Sequence, residues 1–558
     1  MSDLDKDQKK KFQILFKNKE FSKIIFEIES LGKLEFQPNY ILFTYASAIA
    51  ADPNSKKDDL EKSARILDQV YSSNKDDLQV LFNLISVCLK IKRYSFVLDH
   101  LINQYNKGNK DKKILESLGI IYYEKGNIIN CVKFLKELYD LNPNLYSSSR
   151  LMYLLSLNYL SGISQKKYFE EVSKIQNAIS KSLNFETFKF SRVKKTKIKL
   201  GFYSGNLANN HPASRFFKDL LLHINKNQFE IYIFNNLKSS QQDKTTEDLK
   251  KISADLNWKD ISGYKDEKQI DFIRSLNLDI LFDLNGFTEG AKLSIFAARC
   301  APVQISWLGY NNSTGLNNMD YLLCDRNLIK EDEKKYYSEK VIFFPKIWCS
   351  LDIPKQLPKI NSLSRANEKR FIFGSFNNFN KISIENIKVW SEILNNSNSN
   401  LYLINASIRN KDMYEKLRDD FEKNNINLKN VNFLEPIKFW KHLEYYNQID
   451  ISLDTFPFPG VTSTFDSYLM GVPVLTMKGF NFYSRCGESI NKNLELNNFI
   501  AKDKNDYIQK AITFSKNNFN SDFRNELRKR VLKSNLFDIK GFAREFTFIL
   551  KNLHSKMI

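Results

Sequence analysis

Apolar residues in the amino-terminal part of the chain recur at the three-and-four spacing of amphipathic helices, and beyond about residue 196 the pattern changes to short apolar runs alternating with helical stretches. Leu115, Leu118, Gly119, Tyr122, Cys131, Leu135, Leu138 and Pro143 fall at the spacings of a tetratricopeptide unit, whose period is about 34 residues. Gly119 is the small residue that lets two helices approach closely. A weaker unit lies one period upstream around Leu81, Leu84, Cys88, Val97 and Leu101, and Tyr45 to Val70 reads as a degenerate one. Residues 1–185 are therefore predicted to form a tetratricopeptide-like helical repeat domain. From Tyr168 to Thr196 the pattern loosens into a junction that ends in the basic stretch Ser191 to Lys195.

The second pattern implies two further bodies. Ile198 to Ser204, Ile231 to Phe234, Asp279 to Leu284, Val303 to Leu308 and Tyr321 to Cys324 are predicted strands of a lobe over residues 196–355. A polar, Pro-containing linker from Ile353 to Glu368 follows. Arg370 to Phe376, Leu401 to Asn405, Val431 to Leu434, Ile449 to Asp454 and Val472 to Met477 are the strands of a second lobe over 366–558, which ends from Asp506 in amphipathic helices. Strands alternating with helices predict parallel sheets covered on both faces, hence two Rossmann-like lobes. Ligands of such lobes bind beyond the carboxyl ends of the strands, so the cleft between them is the place to look for chemistry.

Composition narrows the function classes. With 558 residues, 42% hydrophobic and 27% charged, the chain is long and apolar enough for several cores. The net charge of +20 is spread along the whole length, as an AT-rich coding sequence would produce. It favours anionic ligands but lacks the clustering of a nucleic-acid footprint, so no nucleic-acid partner is expected. The six cysteines are scattered without a Cys-x-x-Cys pair, which predicts reduced core residues and no zinc site. The polar amino terminus and the lack of any run of about 18 apolar residues predict no signal peptide, no membrane span and a cytoplasmic location.

Four segments carry candidate chemistry. In Leu453 to Pro473 a strand ends at Asp454, a Pro/Gly turn follows, and Thr462, Ser463 and Thr464 open a helix. Unpaired N–H groups and the positive end of the helix dipole suit a diphosphate there, with the three hydroxyls as added donors. Asp466, one turn in, suits a ribose hydroxyl, although an ordinary Ser/Thr cap with a satisfied Asp explains the same residues. In Gly374 to Ser383, Lys381 follows a strand end, where a cation offsets charge developing on a leaving diphosphate; a solvated surface lysine is the plainer alternative. In Gly201 to Arg215, His211 follows the first strand of its lobe and is placed either to orient an acceptor and shuttle a proton or simply to shape the loop. Asp279 to Gly290 and Ala301 to Gly315 end strands in polar loops on the same edge. Asp-x-Asp occurs only at the amino terminus, in Asp3-Leu4-Asp5-Lys6-Asp7 and away from the candidate loops, and no P-loop motif occurs, so no metal is expected on the donor and a P-loop nucleotidase is disfavoured.

Together these segments resemble the protein O-GlcNAc transferase and SPINDLY family, glycosyltransferase family 41. The resemblance rests on Asn210 to Ser214, Asn285 to Ala291, Ala301 to Gly315 with Met319-Asp320-Tyr321, Tyr337 to Lys340, Phe376 to Lys381 and Leu453 to Pro473, in the family's order over roughly residues 196–500. It implies a glycosyltransferase B-type fold and inverting, metal-independent transfer from a nucleotide-sugar, UDP-GlcNAc first, to Ser or Thr of proteins. The donor is then a substrate, no cofactor is needed, and acceptor proteins are presented by the repeat groove. His211 matches the family's active-site histidine, Lys381 the lysine on the donor phosphates, Asn378 its polar neighbour, His442 the nucleoside-side histidine, Thr462 and Ser463 the phosphate-binding hydroxyls, and Asp466 the ribose-binding acid. Val461 stands where animal O-GlcNAc transferases have His, and Asn311-Asn312 replaces the usual Pro-Gly. The Gly-Val-Thr-Ser-Thr-Phe-Asp run is closer to SPINDLY-type sequences, some of which use GDP-fucose, and bacterial relatives that glucosylate Asn leave a second acceptor open. The general base is not singled out by sequence. A degenerate repeat scaffold is the reading from another class.

Overall fold

A computed structural model describes residues 3–183, 188–190, 196–208, 211–253, 256–361, 370–435, 437, 439–517 and 519–556. The basic junction stretch Ser191 to Lys195, Asn209, Asn210, the domain limits predicted at residues 185 and 366, and the second part of the linker, residues 362–369, lie outside the described residues. The chain divides into two compact units, Met1–Leu141 and Asn142–Ile558.

The first unit is a succession of helical hairpins, from Asp3–Lys17 to Lys112–Glu124 and Ile128–Leu141. Leu115, Leu118, Cys131, Leu135 and Leu138 are fully buried, and a Cβ on Gly119 would lie 2.4 Å from Leu135, so glycine is what allows the last two helices to meet. The repeat is also written in polar contacts. Lys92 with Glu124, Arg93 with Glu61, His100 with Asp68 and Tyr105 with Glu137 each join side chains 32 residues apart. Equivalent positions of successive hairpins therefore touch, as stacking of like units requires.

The second unit begins with helices Ser148–Leu157, Gln165–Val172 and Lys174–Ser182. Their apolar periodicity reads like more repeat, and the looser stretch after Tyr168 reads like a junction, yet the compact boundary falls at Leu141/Asn142. Buried polar bonds to the two lobes account for this placement, and polar partners leave no trace in a hydrophobic period.

Two parallel sheets follow. The first contains β1 (Ile198–Ser204), β2 (Phe229–Asn235), β3 (Asn257–Asp260), β4 (Ile280–Asp283), β5 (Val303–Ser306), β6 (Tyr321–Asp325) and β7 (Lys340–Phe344), in the order β3-β2-β1-β4-β5-β6-β7. The second contains β8 (Phe371–Ser375), β9 (Ser399–Ile404), β10 (Val431–Leu434), β11 (Ile451–Leu453), β12 (Val474–Met477) and β13 (Ile500–Ala501), in the order β10-β9-β8-β11-β12-β13. Both are doubly wound, with order reversing between β1 and β4 and between β8 and β11. The strands that the apolar pattern does not reveal are edge strands: β3 and β7, mostly half-exposed, and β13, only two residues long. An edge strand with a wet face carries little apolar pattern.

The lobes share one core. The last helix, Ile539–Ser555, leaves the second lobe and packs on the first, where Phe542 lies 4.7 Å from Phe344 and Phe546 lies 5.1 Å from Trp307, ring to ring. Phe465, Tyr468 and Leu469 of the second lobe belong to the same cluster of buried side chains. Across the seam Arg485 grips Glu333 with two bonds of 2.5 and 2.6 Å, and Ser489 donates to Asp325 at 2.8 Å.

Candidate active site

The loops that follow β1, β4, β8 and β11 are those at the two reversal points, and the predicted residues other than His442, which follows β10, lie after β1, β8 and β11. After β11 the chain turns through Thr455 to Val461, with a cis Phe456–Pro457 bond, into helix Thr462–Leu469. Buried Asp454 organises this turn. It accepts from Gly460 N at 2.7 Å, Thr455 N at 3.0 Å, Thr476 Oγ1 at 2.8 Å and Asn377 Nδ2 at 3.3 Å. Burial nonetheless pushes its pKa up to about 6. A Cβ on Gly460 would lie 2.2 Å from Ser463 Oγ and 2.6 Å from Asn377 Oδ1, so only glycine lets the turn close.

Helix Thr462–Leu469 starts without a side-chain cap, and Phe465 N donates to Val461 O at 3.0 Å to close its first turn. Its three hydroxyls diverge. Ser463 Oγ donates to Asn377 Oδ1 at 2.9 Å and Thr464 Oγ1 donates to Gly460 O at 3.0 Å, whereas Thr462 Oγ1 is buried with no hydrogen-bond partner. The sequence reading treats all three as phosphate donors; only the Thr462 hydroxyl is uncommitted, the other two being spent on the turn. A buried orphan hydroxyl beside unpaired N–H groups is an unmet demand for an acceptor, and an anion supplies it. At the far end, Arg524 donates to Met470 O at 2.9 Å and Arg528 to Leu469 O, so cations face the negative end of the helix.

Lys381, after β8, is not a solvated surface lysine. Its Nζ donates to Pro459 O at 2.8 Å and sits 4.2 Å from the centre of the Phe458 ring. Desolvation lowers its pKa to about 8, partly opposed by Asp454. Asn378 accepts from Asn380 N at 2.9 Å and shapes this loop, while its side chain is exposed. His442, in helix Phe439–Glu444, has its ring 5.8 Å from Phe376, and burial lowers its pKa.

His211 caps helix Pro212–His223. Its Nδ1 accepts from Ala213 N at 3.3 Å, and burial lowers its pKa to about 4. The ring is therefore neutral at pH 7, and with Nδ1 as the acceptor the ring proton belongs on Nε2. Asp466 is buried, and both its oxygens accept from Arg215, at 2.8 and 3.1 Å. Sequence reading does not single out Arg215, nor Asp283, at the end of β4, whose carboxylate accepts from Asn285 N at 2.8 Å and Gly286 N at 3.0 Å and is pushed up by burial to about 6. Both positions are polar residues in helix or strand patterns, indistinguishable from surface residues until the lobes are assembled.

The wall formed by Trp307 to Gly315 is held from the amino-terminal side. Asn158 donates to Tyr310 OH at 2.7 Å and accepts from Asn312 Nδ2 at 3.1 Å, and Tyr168 OH meets Tyr310 OH and Ser313 O. Gln165 donates to Asn312 Oδ1 of the first lobe at 2.9 Å and accepts from Asn481 Nδ2 of the second at 2.9 Å. Asn312, a departure from the usual loop, is thus a structural hub, while Asn311 Nδ2 reaches Cys486 Sγ at 3.4 Å and its Oδ1 is buried without a partner. Gln165→Ala strands the buried Asn481 amide, so denaturant titration should show a loss of about 1–3 kcal/mol; a loss below the error of the titration would count against the bridge.

Among the described residues no three His, Cys, Asp or Glu side chains gather where they could hold a metal ion, and no helix is long and apolar enough to cross a membrane. All six cysteines are buried and none is joined in a disulfide.

The model of glycosyl transferase family 41 matches residues 130–370 and 362–546, which span the three helices before the lobes, both sheets and the first half of the last helix. The chain belongs to that family. Among curated relatives, the tomato (Solanum lycopersicum) protein named probable UDP-N-acetylglucosamine–peptide N-acetylglucosaminyltransferase SPINDLY is 28% identical over 406 residues, 72% of this chain and 43% of its own length. The Arabidopsis thaliana protein of the same name is 31% identical over 319 residues, 56% of this chain and 35% of its own. The chain spans less than half the length of these curated relatives. Among solved structures, a point mutant of the Thermobaculum terrenum O-GlcNAc transferase superposes with a TM-score of 0.79 at 22% identity, covering 93% of this chain and 98% of that one, which shows the shared two-lobed fold. Family 41 membership agrees with the resemblance read from the ordered motifs.

Proposed function

We propose that the protein is an inverting glycosyltransferase that moves a sugar from a nucleotide-sugar, UDP-GlcNAc first, to Ser or Thr hydroxyls of proteins. The observation that carries this reading is the pairing of a half-buried lysine, Lys381, with an uncapped helix start whose Thr462 hydroxyl is buried and unpartnered. A cation and a ring of N–H donors fixed in place before the reaction stabilise the charge that appears when a nucleoside diphosphate leaves. The acceptor oxygen attacks the anomeric carbon from the opposite face, the bond to the diphosphate breaks with its electron pair, and the hydroxyl proton passes to water or to a donor phosphate oxygen. No metal is assigned a part. His211 acts as a hydrogen-bond donor through Nε2, orienting a substrate oxygen, because its other nitrogen is spent on Ala213. Asp466, held by Arg215, keeps a lone pair on each oxygen for ribose hydroxyls. The names of the SPINDLY relatives support the donor and the protein acceptor.

The test is to incubate the full chain, with and without a chelator, with a protein lysate and either UDP-GlcNAc or GDP-fucose, and to map modified residues by mass spectrometry. N-acetylhexosamine on Ser or Thr, insensitive to chelator, is the expected result. Deoxyhexose from GDP-fucose only, or hexose on Asn from UDP-glucose in a third arm, would replace the donor or the acceptor. No transfer together with no nucleotide binding by calorimetry would favour a degenerate scaffold.

A further inference from the structure

Two of the helices that open on the cleft are joined one turn below their starts. Helix Pro212–His223 begins at His211, and Arg215, four residues on, donates its backbone N–H to His211 O at 3.1 Å. Helix Thr462–Leu469 begins with the unpartnered Thr462 hydroxyl, and Asp466 is four residues on. Residues four apart share a helix face, so the bidentate Arg215–Asp466 pair lies directly behind both functional helix starts. The side chains are 14% and 6% exposed, so water competes little for either charge. The contact has an apolar half as well, since Phe216 and Phe465, each the neighbour of one partner, meet edge to face at 5.2 Å.

We infer that Arg215 is a positioning residue that sets the register of His211, on the acceptor side, against the phosphate-facing start of helix Thr462–Leu469, on the donor side. This rests on the transferase reading given above. The fork geometry matters because two parallel N–H···O bonds fix direction as well as distance. Lysine at this position supplies the charge through a single point and leaves the two helices free to rotate about it. Burial chiefly lowers the His442 pKa, and the Asp466 carboxylate and the Arg215 guanidinium act on its ring more weakly and in opposite senses.

Arg215→Lys tests the inference, with Arg215→Gln as a second variant that keeps a hydrogen bond to Asp466 without charge. Each is compared with the wild type in two ways. Hydrogen–deuterium exchange should rise together in residues 212–217 and 462–467 of Arg215→Lys and stay unchanged in the first β-sheet. In transfer assays kcat should fall about 10²-fold, the scale of a misplacement of roughly 1 Å, with the acceptor KM within about threefold. A variant that is merely less stable would lose melting temperature while keeping the wild-type kcat in its folded fraction. Exchange that rises in one segment alone, or an unchanged kcat, would overturn the inference. If the wild type neither binds nucleotide nor transfers, the transferase reading fails, and the exchange experiment still decides whether Arg215 couples the two helices.

Discussion

Replacing Lys381 by alanine should lower transfer by about 10²–10³ while leaving a folded protein that still binds nucleoside, because the ammonium acts on charge that develops only as the diphosphate departs. That ammonium is already in place, on Pro459 O and over the Phe458 ring, so the wild type needs no reorganisation at the moment of reaction. Its environment also gives the reaction an alkaline limit. Burial brings the Lys381 pKa down from 10.5 to about 8, and the form that acts in the proposed reaction is the charged one, so the contribution of Lys381 should fade as pH rises through about 8. A bound diphosphate favours the ammonium, and nucleotide binding near that pH should therefore take up protons, which calorimetry in buffers of different ionisation enthalpy measures directly. The stability effect runs the other way. Between about 8 and 10.5 the unfolded chain binds more protons at this lysine than the folded one, so folding stability gains from Lys381 as pH rises across that window, and Lys381→Ala should lack the gain. Wild-type turnover in Lys381→Ala would remove the residue from the mechanism.

Glu333→Ala should be among the most destabilising single changes in the second unit, costing about 3–5 kcal/mol in denaturant titration. Arg485 is 3% exposed, donates from both terminal nitrogens to Glu333, and is otherwise held by the carbonyls of Leu328 and Gly479. Removing the carboxylate leaves a guanidinium inside the seam with no counter-charge. Because Arg485 lowers the Glu333 pKa, the pair contributes fully above the ordinary carboxylate range and is lost as pH falls below it, so wild type and variant should converge in acid. The pair spans the two lobes, and its loss should also quicken hydrogen exchange at the seam. A change smaller than about 1 kcal/mol would place Glu333 among ordinary surface ion pairs.

How far the site is legible in the sequence differs from residue to residue. Lys381, His211, Thr462 and Asp466 stand in short ordered segments at strand ends, and the folded chain brings these three segments to the two points where sheet order reverses. Ser463 and Thr464 are chemically the same kind of residue as Thr462, and nothing in the run distinguishes them; their hydroxyls are claimed by Asn377 and Gly460, a matter of where a turn closes. Arg215, Gln165 and Arg485 carry no local signal, because each looks like a solvated helix residue in its own segment and finds its partner 251, 147 or 152 positions away.

Periodicity and motif order alone determined that a helical repeat precedes two parallel α/β lobes, and where the loops of the candidate site lie, because helix and strand periods and turn residues are local properties of a chain. Tertiary structure decided where the repeat ends, that the last helix returns to the first lobe, which hydroxyl remains uncommitted, and which arginine each buried acid receives. Those outcomes depend on desolvation and on partners distant in sequence, whose energies exist only once the two lobes have closed on a common core.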